Sequence, residues 1–91
     1  MGKNSYGTSK TATLPTIDLH GERLDGLVDK VDRFITLNQG KGHNQIRIMT
    51  GKGSGQVRAA VQSYLKLGGY PSHFERLPNG ATNDGVLVVQ I

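Results

Sequence analysis

The chain has 91 residues, 35% of them hydrophobic and 5% aromatic, which suits one small domain with an aliphatic core and not a full dinucleotide-binding fold. It has no cysteine, so disulfides and thiolate metal sites are excluded; no apolar run approaches the roughly 20 residues of a membrane span, and no signal peptide is visible, so a cytoplasmic protein without a membrane partner is expected. The net charge is +4, from 11 basic and 7 acidic side chains, and the distribution of those charges along the chain is more informative than the total.

Residues 1–13, "MGKNSYGTSKTAT", are polar and small. They cannot bury enough apolar surface to fold, and a disordered tail is expected there. The folded domain is expected over 14–91. "TIDLH" comes next, with Ile17 and Leu19 alternating with Asp18 and His20 in strand periodicity, and Gly21 closes it. From Leu24 the period changes. Leu24, Leu27, Val28, Val31, Phe34 and Ile35 recur at helical spacing, with Asp25, Asp29 and Asp32 on the other face. Gly26 falls inside this expected helix at a small cost, and Gly40 is its expected left-handed stop.

"QIRIMT" predicts a second strand, with Ile46 and Ile48 towards the core and Arg47 and Met49 away. The glycine-rich "GKGSG" follows, and then a helix with Val57, Ala60, Val61, Tyr64 and Leu65 on one face. "GGYP" ends it. "SHFERL" predicts a short strand, "PNGATNDG" a turn, and "VLVVQI" a final strand. The order is β-α-β-α-β-β. The helix between the first two strands makes them parallel with a right-handed crossover, and the last two form a hairpin. The expected fold is a two-layer α/β sandwich, a four-stranded mixed sheet with both helices on one face and the other face open.

Two features of this plan carry chemistry. Asp18 and His20 share one strand face, either as a base with its orienter or as two ligands of a metal. The end of the first strand then lies beside the end of the second, where the glycine stretch begins, and such carboxyl ends favour ligands. Gly51, Gly53 and Gly55 match neither the Walker A loop nor the dinucleotide fingerprint. They do let several backbone N–H groups converge on one spot, and the next helix adds its positive end. Three glycines in five residues exceed what a plain strand-to-helix corner requires. Between Asp32 and Glu75 there is no acid, while Arg33, Lys41, Arg47, Lys52, Arg58 and Lys66 lie there, as a polyanion-binding face would need. His43 is expected in solvent and His73 on the open face with Glu75. No zinc spacing links the three histidines. Tyr70 is the one aromatic expected to be exposed in the folded part.

"IDLHG", the amphipathic helix, "IRIMTGKG", the helix "VRAAVQSYL" and the terminal "GVLVVQI" together resemble an Smr (small MutS-related) domain over Thr16 to Ile91. The resemblance implies a fold similar to the C-terminal domain of bacterial translation initiation factor three. It also implies an endonuclease that nicks or cuts DNA or RNA, or alternatively a non-catalytic module binding nucleic acid or a ribosome. DNA repair and recombination are the implied setting, and a larger MutS-related chain is an implied partner. Carried over residue by residue, the active or binding site is Asp18, His20, Gly21, Thr50, Gly51, Lys52 and Gly53. Asp18 and His20 are then the expected catalytic pair, with Asp18 orienting His20 or ligating a divalent cation, Mg or Mn. On the reading of the residues themselves, Thr50, Gly51, Lys52, Gly53, Ser54 and Gly55 are expected to hold the phosphate, and Lys41, Arg47 and Arg58 to track the nucleic-acid backbone. Thr50 stands where many members carry His, so proton transfer falls to His20 alone. Arg23 and Gly26 replace the family's usual helix cap.

Overall fold

The computed structural model describes residues 13–53 and 55–91; the expected tail, apart from Thr13, and Ser54 lie outside the described residues. The elements are β1 (Thr16–Asp18), α1 (Leu27–Gly40), β2 (Gln45–Met49), α2 (Gln56–Gly68), β3 (Ser72–Arg76) and β4 (Thr82–Gln90). The order is the expected β-α-β-α-β-β.

In β2, Ile46 and Ile48 are fully buried and the residues between them are half-buried, as period-two alternation requires. β1 runs parallel to β2, with Ile17 opposite Ile48 and Asp18 opposite Met49. β4 is antiparallel to both β2 and β3, so the sheet order is β1-β2-β4-β3. Leu27, Val31 and Ile35 of α1 join Val61 and Leu65 of α2 over Ile46, Ile48, Leu87 and Val89 in one buried cluster. Both helices thus cover one face of a mixed sheet, and the α/β sandwich has two layers.

The opposite face is organised by an ion pair. Arg47 donates from Nε to Glu75 Oε2 at 2.7 Å and from Nη2 to Oε1 at 2.8 Å. Glu75 is buried. Val88 lies opposite both Arg47 and His73 and is also buried, so this face is open only in part.

Several boundaries differ from the expectation. α1 begins at Leu27, and Gly26 precedes it in a left-handed conformation with φ 78°, outside the helix. Leu24 is therefore off the helix and exposed. The stop is carried by Gly42, at φ 87°, while Gly40 remains the last helical residue. β4 starts at Thr82, inside the expected turn, because its first residues pair with β3 beyond a register shift between Phe74 and Glu75. Tyr70 is half-buried against the core and against Tyr64, with ring centroids 6.4 Å apart. α2 ends as expected, on left-handed Gly69 at φ 76°.

Candidate active site

The parallel pairing of β1 and β2 continues past Asp18, because the Leu19 N–H donates to the Met49 carbonyl at 2.7 Å. That contact carries His20 up to the start of the glycine loop. A Cβ on Gly51 would stand 2.9 Å from His20 Cβ, and Gly51 has φ 76°. Close approach and left-handed backbone both demand glycine here. The two sequence features are therefore one place in the fold.

His20 Nδ1 lies 2.6 Å from Asp18 Oδ1, and the His20 main-chain N–H donates to the same oxygen at 3.1 Å. The carboxylate can only accept, so Nδ1 carries the proton and a neutral ring keeps its lone pair at Nε2. Asp18 is held below the usual carboxylate range, first by the hydrogen bond from the His20 ring and then by the main-chain one. The imidazole is raised, first by that hydrogen bond and then by the Asp18 charge. Both side chains are exposed.

The loop is only partly directed at a ligand. The Thr50 and Gly51 N–H groups both donate to the Gly85 carbonyl, at 2.8 and 3.1 Å. The Thr50 side chain is buried, its hydroxyl 3.4 Å from the carbonyls of Gly51 and Gly85. The main-chain N–H groups of Thr50 and Gly51 are thus engaged with β4, although both residues still line the cleft. Lys52, Gly53 and Gly55 line the same cleft, of about 400 Å³, with His20, Gly21 and Arg23. Gly55 caps α2 at φ 84° with no side-chain cap bond, and no acid occupies the helix's first turn. A helix start with no acid in its first turn is electrostatically compatible with an anion.

The Smr domain pattern matches residues 17–91. The chain belongs to the Smr domain family. The crystal structure of the Smr domain of Thermus thermophilus MutS2 superposes with a TM-score of 0.71 at 27% identity, covering 85% of this chain and 96% of that one. Endonuclease MutS2 of Ligilactobacillus salivarius is 37% identical over 82 residues, covering 89% of this chain and 10% of that protein. Endonuclease MutS2 of Levilactobacillus brevis is 36% identical over 87 residues, covering 96% of this chain and 11% of that protein. The chain spans about a tenth of the length of these curated relatives.

In this Smr domain the remaining expected basic contacts separate. Arg58 reaches the loop, its guanidinium folded over Gly55. Arg47 is engaged with Glu75. Lys41 caps the C-terminus of α1, beside the start of β2 and a strand length of about 16 Å from its end. His43 and His73 are exposed and do not join His20 at the cleft. Among the described residues no group of three His, Cys, Asp or Glu is placed to hold a metal ion. Asp18 and His20 are bonded to each other, which is not a preformed cation site. The sequence reasoning passed over Asp84 and Gly85. Asp84 lies 3.7 Å from Lys52 Nζ and 3.6 Å from Arg58 Nη1. Asn83 Oδ1 accepts the Gly85 N–H at 3.1 Å, and such Asn-Asp-Gly chemistry signals a turn and nothing more. Among the described residues no helix is long and apolar enough to cross a membrane.

Proposed function

We propose that this Smr domain binds a nucleic-acid chain and cleaves a phosphodiester bond in it, with His20 as general base. The observation that carries the proposal is the 2.6 Å Asp18–His20 contact standing against Gly51 and the cationic loop. The relatives named Endonuclease MutS2 support the reaction class. Asp18 keeps the proton on Nδ1, and Nε2 takes the proton of the attacking oxygen, a ribose 2′-hydroxyl in RNA or a water on DNA. A new P–O bond forms, the old one breaks, and the imidazolium returns its proton to the leaving oxygen. Lys52, Gly53, Gly55 and the positive end of α2 stabilise the added negative charge. The domain is proposed to act in the cytoplasm within a larger MutS-related chain, in DNA repair and recombination.

One observation favours a second reading, a module that binds nucleic acid or a ribosome without turnover. Thr50 is buried with its hydroxyl 3.4 Å from the Gly51 and Gly85 carbonyls, so it does not offer itself as a second proton carrier beside His20. The experiment follows labelled RNA and DNA strands with and without Mg²⁺ or Mn²⁺. His20→Ala is expected to lower cleavage by about a hundredfold or more while binding persists. If the native protein cuts neither strand yet binds with a steep salt dependence, the module reading replaces the nuclease.

A further inference from the structure

The two cations of the loop already share an anion. Lys52 comes from the turn after β2 and Arg58 from the first turns of α2, and both approach the Asp84 carboxylate, at 3.7 and 3.6 Å. These distances exceed a hydrogen bond. The carboxylate is 55% exposed, so the contacts are screened and weak. Both cations are placed by other means. Arg58 Nη1 donates to the Asp84 main-chain carbonyl at 3.2 Å. An added Cβ on Gly55 would meet Arg58 Nη2 at 3.2 Å, and one on Gly85 would meet Lys52 Cγ at 3.1 Å. The guanidinium and the lysine stem are thus seated on two glycines, and neither seat involves the Asp84 side chain. The carboxylate sits in the site without building it.

We propose that the Asp84 carboxylate is a built-in occupant of a two-cation anion site, and that a nucleic-acid phosphate displaces it to bind Lys52 and Arg58 together. This rests on the nucleic-acid reading above and deepens it. Two cations that converge on one carboxylate can converge on one phosphate, and the guanidinium fork suits its oxygens. The exchange replaces one anion by another, so a loose polyanion gains little at this position. A phosphate also held by Gly53, Gly55 and the end of α2 gains more. Asp84 therefore weakens indiscriminate binding more than fitted binding.

The test uses Asp84→Asn, which keeps the shape and the main-chain carbonyl. Asp29→Asn, on the exposed face of α1, removes an equal charge elsewhere. Inorganic phosphate is titrated by amide shifts and a labelled single strand by anisotropy across salt concentrations. Asp84→Asn is expected to bind both probes about two- to fivefold tighter than the native chain, the scale of an exposed ion pair. Its salt slope for the strand is expected to steepen by about one, since a counterion replaces the carboxylate as the group released. Asp29→Asn should show less of either effect. Binding by Asp84→Asn that is no tighter than that of Asp29→Asn overturns the proposal. If no variant binds the strand while Asp84→Asn still tightens phosphate, the anion site stands and the nucleic-acid reading falls.

Discussion

At the residue scale the Asp18–His20 pair makes the pH behaviour of the site specific. As the proposed general base His20 would act only when neutral, and Asp18 raises its titration above the ordinary 6.5. Cleavage should therefore increase as pH rises through that raised value. Asp18→Asn removes the cause, so the limb should move to lower pH and its plateau should fall. An imidazole NMR titration of His20 against the rate profile checks both. The stability effect has its own window. Asp18, lowered from 3.8, contributes fully above that ordinary value and loses its contribution as pH falls through the lowered one. His20 contributes fully below 6.5 and loses its contribution as pH rises through the raised value. Destabilisation by Asp18→Asn should thus be largest between the two ordinary values and fade at alkaline pH. It should also be small, because both groups are exposed.

At the element scale the junctions decide more than the strands and helices they join. Gly26 and Gly51 both have left-handed backbones, at φ 78° and 76°, but a Cβ on Gly26 meets nothing within 4 Å while one on Gly51 strikes His20. Alanine at either position should cost about 1–3 kcal/mol of backbone strain. Gly51→Ala should lose more than Gly26→Ala in urea unfolding, and it alone should shift the His20 amide. This difference was not legible in the sequence, where both are glycines near a helix start. What was legible is periodic: Ile46 and Ile48, the apolar face of α2, and the adjacency of "IDLHG" and "MTGKG" through parallel pairing. The start of α1 was misplaced because Leu24 keeps the helical spacing by chance, and only the backbone of Gly26 reveals the break. Lys52 and Arg58 were found as charges. Asp84 was missed because a turn hides the partner that a non-local pairing supplies. Arg47 was legible as outward-facing, but its commitment to Glu75 depends on β3 lying two strands away.

At the scale of the whole molecule the sheet's second face depends on that pair. Glu75 is 1% exposed, and burial of a carboxylate is tolerable only with its partners in place. Arg47→Leu should cost about 3–5 kcal/mol. Arg47→Leu with Glu75→Leu should recover much of it by removing the buried carboxylate together with its Arg47 partner. Thermal unfolding of the two variants tests this, and a double variant less stable than Arg47→Leu would show that the pair contributes more than mutual neutralisation. The loss should reach the site as well, since β4 lies between β2 and β3.

The Gly85 carbonyl accepts from both Thr50 and Gly51, so the loop after β2 is held by the last strand in the chain order. During synthesis Asp18, His20, Lys52 and Arg58 all leave the ribosome before Gly85 does. A nascent chain halted ahead of Gly85 would carry those side chains with no anchor for their loop. Ordering of the loop is thereby timed to the emergence of β4, and if the proposed nuclease reading holds, fragments released before that point should be inert towards nucleic acid.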